Sequence, residues 1–161
     1  MQILDLDGAP HQVQVTNSHM LVLNLNELFI FQRTEPNMNL DIPNLFSYYQ
    51  SSFWKNEGGA EQWPWGAVYS KDDNYLWVAY SVDGLRVYNT TNPLELILLR
   101  SYTSTDYADF ANGPSCVVFS PKDTNILYVG IWGTGIMIFN VQDVMNIVLL
   151  GGITTTVGFS A

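Results

Sequence analysis

The sequence predicts an all-β fold of repeated, four-stranded antiparallel sheets, and three observations carry that expectation. A segment of roughly fifty residues recurs, its apolar positions alternate with period two, and its short apolar runs are bounded by Gly, Pro, Asp and Asn. "SVDGLRVYNTTNPLELILLRSYTST" from Ser81 and "WGTGIMIFNVQDVMNIVLLGGITTT" from Trp132 show the recurrence most directly.

Each unit opens on a proline. Pro64 matches Pro114, Val68 matches Val118 and Ser70 matches Ser120 at a spacing of 50. One extra residue near Asn125 lengthens the spacing to 51, which then pairs Leu76 with Leu127, Val78 with Val129, Gly84 with Gly135, Asn89 with Asn140, Leu98 with Leu149 and Thr105 with Thr156. A looser copy begins at "GAPHQVQV", with Pro10, Val13, Val15, Leu21, Leu23, Leu28, Ile30 and Pro36 in corresponding places.

Within the third unit the expected strands lie near Ser115–Ser120, Ile126–Ile131, Gly135–Asn140 and Asn146–Ile153. Runs such as "LYVGIW", "IMIFNV" and "LWVAYS" are short and rich in β-branched and aromatic residues. The turn "SPKDTN" suits a β-turn, because Pro presets φ and Asp and Asn hydrogen-bond their own backbone. Gly84 and Gly135 open the third strand, where a positive φ costs little only for Gly.

Four-stranded antiparallel units at this spacing are what the blades of a β-propeller look like in sequence. "VVFSPKDTNILYVG" resembles the first hairpin of WD-repeat and YVTN-type propellers, and "GLRVYNTTNPLELILLRSY" resembles the LVIVD-type repeat. The Trp-Asp ending of WD repeats is absent, with Tyr88-Asn89 and Phe139-Asn140 in its place. The blades are expected at about 8–50, 63–105 and 113–156, with an aromatic insert at about 44–62. The first blade's outer strand is expected around Leu45–Gln50. Three blades leave two apolar sheet faces open, so the chain is expected to be part of a larger closed propeller, the alternative being copies that complete one another. Met1–Leu6 would then serve as a strand completing a neighbouring blade.

Lys and Arg number 6 against 15 Asp and Glu, a net charge of −9, which repels phosphate backbones and anionic headgroups. Neither nucleic acid nor membrane insertion is expected, and no apolar stretch is long enough to span a bilayer. Low charge with abundant Asn, Ser and Thr points to an extracellular, cell-surface or lumenal setting. Cys116, the single cysteine, lies in the apolar run "SCVVF" and is expected to be a buried, inert thiol.

Tyr48, Tyr49, Phe53, Trp54, Trp63 and Trp65 lie in or beside the insert, and Tyr107 and Phe110 occupy the corresponding connection of the next unit. Together they form a candidate interface for protein partners or a platform for stacking sugars; the alternative is a satellite core against the blades' side. Asn89 begins the glycosylation pattern Asn89-Thr90-Thr91, in the turn expected between the third and fourth strands. His11, at the start of an inner strand, and His19, in a hairpin turn, lack the further ligands a metal site needs. Asp5, Asp7 and Gly8 resemble the opening of a calcium loop without its later ligands. Asp72, Asp73, Lys122 and Asp123 fall in blade turns, where a solvated turn is expected and a weak calcium site is the alternative. No catalytic constellation is found and no cofactor is expected. The function expected is a non-catalytic scaffold with protein partners, copies of itself among them; the alternative is a carbohydrate-binding or glycan-processing propeller using Trp54, Trp63, Trp65 and Tyr49 with channel carboxylates.

Overall fold

The structure, a computed structural model, describes residues 10–16, 19–24, 28–33, 46–49, 64–92 and 96–154. Among these residues twelve strands form three antiparallel sheets of four, each in simple chain order. The first sheet holds β1 (Pro10–Val15), β2 (His19–Asn24), β3 (Leu28–Arg33) and β4 (Phe46–Tyr49). The second holds β5 (Pro64–Tyr69), β6 (Tyr75–Tyr80), β7 (Leu85–Asn89) and β8 (Ile97–Tyr102). The third holds β9 (Pro114–Phe119), β10 (Ile126–Ile131), β11 (Gly135–Asn140) and β12 (Val148–Thr154). β4 lies where the first blade's outer strand was expected. Most of the remaining insert lies outside the described residues, as do Met1–Leu6 with Asp5, Asp7 and Gly8.

The sheets stand face to face as blades, with β5 against both β1 and β9 on the inner side. Period-two alternation gives each central sheet two apolar faces. Toward the third blade, the second turns Val68, Trp77, Ala79, Leu85 and Val87, which pack with Val117, Leu127, Val129, Met137 and Phe139 in one buried cluster. Toward the first blade it turns Ala67, Tyr69, Leu76, Val78 and Tyr88, which enclose Leu21, Leu23 and Ile30. Core residues here are at most 8% exposed, so each inter-blade layer is a sealed core.

Two irregularities recur at the repeat spacing. The register slips just after the opening proline of each inner strand, between Pro10 and Gln12, Pro64 and Gly66, and opposite Gly130–Ile131, so His11, Trp65 and Ser115 face no partner in the ladder. A second slip skips Leu99 and Leu150 in the outer strands. Gly84 and Gly135 do have positive φ, +87° and +135°.

The first blade is joined to the second by side chains acting as a substitute ladder. The Gln12 amide donates to the Ala67 carbonyl at 2.6 Å and accepts from the Ala67 N–H at 2.9 Å, and the Gln14 carbonyl oxygen accepts from the Tyr69 N–H at 3.0 Å. Between the second and third blades, the Tyr102 and Tyr107 hydroxyls donate to the Val144 and Ile147 carbonyls, both at 2.7 Å.

Cys116 is exposed, not buried. Alternation along β9 turns Val117 into the core and sends Cys116 and Val118 to the opposite face, which no other described sheet covers.

Candidate functional site

The antiparallel meander sends alternate connections to opposite ends of the blades. At one end lie the 3-10 turn Ser81–Asp83, the β8–β9 connection with its 3-10 turn Ala108–Asn112, and the β10–β11 turn. The Trp132 N–H donates to the Gly113 carbonyl at 3.0 Å, and the Asn112 amide donates to the Thr134 hydroxyl at 2.9 Å, tying these segments together. Trp65 lies at this end on its bulge, 37% exposed, its ring centroid 6.5 Å from that of Trp132, which is 71% exposed. The sequence does not single out Trp132, which closes the strand run "LYVGIW". Its pairing with Trp65 depends on two different blades.

The other expected surface aromatics divide. Phe110 is fully buried, and Tyr107 packs partly buried beside it, with ring centroids 5.0 Å from Phe139 to Tyr107 and 5.8 Å from Phe139 to Phe110. These two belong to the core between the second and third blades and do not share a surface with Trp65. Phe110 is corrected from interface to core, because the 3-10 turn points it inward. Tyr48 and Tyr49 pair with Phe31 and Ile30 along β4. Phe53, Trp54 and Trp63 lie outside the described residues.

At the opposite end, between the second and third blades, a cleft of about 500 Å³ is lined by Lys71, Asp72, Tyr75, Trp77, Asn125 and Gln142 among others. Its carboxylate is engaged by its own turn: Asp72 accepts from the Ser70 hydroxyl at 2.5 Å and from the Asn74 amide at 2.7 Å. The Ser70 hydrogen bond holds the Asp72 carboxyl below the usual carboxylate range. Asp123 likewise accepts from the Asn125 N–H at 2.9 Å. Asp73, with a φ of +58°, accepts from the Thr16 hydroxyl of the first blade at 3.0 Å.

His19 is the first residue of β2 rather than part of the turn, and it is 6% exposed. Its ring stacks on Tyr69 with centroids 5.3 Å apart, and among the described residues neither ring nitrogen has a hydrogen-bond partner. Burial pushes its pKa down, against the pull of Asp73. No group of three His, Cys, Asp or Glu residues comes together among the described residues. No described helix is long and apolar enough to cross a membrane. Asn89 ends β7 half-buried, and its side-chain oxygen accepts from the Thr91 N–H and hydroxyl at 2.9 and 2.7 Å.

No family model matches the sequence, and no curated protein matches it. Solved structures do. The β-propeller domain of Cps50 (Swd1) from Myceliophteria thermophila matches with a TM-score of 0.65 at 9% identity, over 94% of this chain and 49% of that one. A candidate 6-phosphogluconolactonase from Bacteroides fragilis matches with a TM-score of 0.61 at 16% identity, over 91% of this chain and 42% of that one. The chain therefore spans less than half the length of either neighbour, and the likeness shows the fold alone, an all-β propeller.

Proposed function

We propose that this chain is a non-catalytic β-propeller scaffold that binds protein partners, in an extracellular, cell-surface or lumenal assembly. One observation carries the reading: the face of the third blade turned away from the second exposes Val118, Ile136, Val148 and Ile153 at 53%, 42%, 57% and 61%. A contiguous apolar patch of this kind marks a protein contact. The test is a photo-reactive residue placed at Val118 and, separately, at Val148. Adducts to polypeptide support the reading, and labelling by solvent alone overturns it. Turnover of 6-phosphogluconolactone would remove "non-catalytic", and the fold likeness to a candidate 6-phosphogluconolactonase warrants that assay.

Localisation and glycosylation at Asn89 belong to the same proposal. Low charge and the Asn89-Thr90-Thr91 pattern support them. A mass that falls on glycosidase treatment, and no longer does so in Asn89→Gln, is the expected result.

The second reading is carbohydrate binding, and the paired, exposed Trp65 and Trp132 favour it, because tryptophan faces stack on sugar rings. A glycan array decides: saturable binding lost in both Trp65→Ala and Trp132→Ala would replace the scaffold reading.

A further inference from the structure

The repeat departs from itself where the second and third blades meet, at the end opposite Trp65. The residue that lengthens its spacing from 50 to 51 falls in the β9–β10 turn, near Asn125. That turn forms one wall of the cleft of about 500 Å³, within the roughly 300–1,000 Å³ of small-molecule sites. The matching space between the first and second blades is smaller, about 290 Å³, and there the Thr16 hydroxyl reaches across to Asp73 at 3.0 Å.

The larger cleft is apolar within and polar at its rim. Tyr75 and Trp77, alternate residues of β6, meet Phe119 at the end of β9 and Val141 and Val144 of the β11–β12 connection. All five belong to the core between these blades or pack against it, so the inner wall is rigid. Three of them carry aromatic rings, which suit a flat apolar ring. Trp77 also leaves a polar group unused there, since its buried indole N–H has no acceptor among the described residues. Lys71, Asn125 and Gln142 stand exposed on the rim. Among the described residues no hydrogen bond or ion pair engages the Lys71 ammonium or the two side-chain amides, whereas Arg86 and Arg100 are held by Asp83 and Asp106.

We infer that this cleft binds a small organic monoanion, a flat apolar ring bearing one carboxylate, with the ring against Tyr75, Trp77 and Phe119 and the carboxylate at the rim with Lys71. The amides of Asn125 and Gln142 can donate to the same carboxylate or accept from a polar substituent on the ring. One ammonium balances one negative charge. A phosphate dianion would leave a charge unmatched beside Asp72, on a chain whose net charge is −9. The inference goes beyond the scaffold reading and does not rest on it, because that reading concerns the other side of the third blade.

Benzoate, cinnamate and 1-naphthoate are titrated into the full chain, each beside its neutral primary amide, with phenyl phosphate as the dianion. Binding is read by calorimetry and by the magnetic resonance of the Trp77 indole N–H. At least one carboxylate should bind saturably in the millimolar range, at least about 10-fold tighter than its amide and than phenyl phosphate. Lys71→Gln should abolish that preference, weakening the carboxylate at least about 10-fold and leaving the amide unchanged. Lys122→Gln, in the equivalent turn of the third blade and outside the cleft, should change neither. Both lysines are exposed, so neither substitution threatens the fold. Absence of saturation by all three acids, a carboxylate held no tighter than its amide, a tighter phenyl phosphate, or an affinity untouched by Lys71→Gln overturns the inference. Adducts at Val118 are unaffected by any of these results and judge the scaffold reading separately.

Discussion

Gly84 stands where the chain turns into β7 with a φ of +87°, and a Cβ on it would collide with the Tyr102 carbonyl oxygen. Gly135 meets the Ile153 carbonyl in the same way, whereas Gly133, at +69°, has nothing within 4 Å. Alanine at Gly133 therefore meets backbone strain alone, about 1–3 kcal/mol. Alanine at Gly84 or Gly135 adds a steric clash with backbone, so urea midpoints should fall in the order Gly133→Ala, then the other two further. His19 gives a pH dependence with a defined sign. Its folded pKa lies below the ordinary 6.5, so the unfolded chain binds the proton more readily. The stability from burying a neutral ring is full above 6.5 and is lost as pH falls toward the folded value. Urea midpoints between pH about 7.5 and about 5 should decline, and His19→Phe, which keeps the stack on Tyr69, should flatten the decline.

At the scale of the element, the junction of the first blade depends on Gln12 and Gln14 more than on ladder pairing. Ala67 is 0% exposed, so Gln12→Ala strands a buried N–H and a buried carbonyl. Each stranded group costs about 1–3 kcal/mol, and amide exchange at Ala67 and along β1 and β2 should accelerate while β9–β12 are unchanged. This junction was not legible in "HQVQV", where nothing local shows that the glutamines meet the backbone of another blade. Strand positions, turn residues and the glycines were legible, because each depends on neighbours a few residues away. Exposure was not, because it depends on which blade stands opposite. "SCVVF" gave Cys116 as buried, and only the open side of the third blade reverses that. His19 was misread, and Trp132 not singled out, for the same reason: Tyr69 covers one, and Trp65, from another blade, accompanies the other.

Over the whole molecule, the net charge of −9 sits on a fold whose layers are apolar. The described carboxylates, Asp72, Asp73, Asp83, Asp106, Asp109, Asp123 and Asp143, all lie outside the strands, and the mutual repulsion of so many like charges works against compaction. Raising ionic strength from about 0.01 M to about 0.15 M should raise the melting temperature by a few degrees, since the screening length falls from about 30 Å to about 8 Å. A melting temperature that is flat or falls with salt would show that the charges are already neutralised by pairing. The bulge after each opening proline has a different kind of consequence. His11, Trp65 and Ser115 are positions that the ladder skips, so no cross-strand pair fixes which residue stands there. They are three equivalent sockets on one rigid frame, with contents as unlike as an imidazole, an indole and a hydroxymethyl. New chemistry can be fitted to this fold there, one blade at a time, without disturbing a single strand pair.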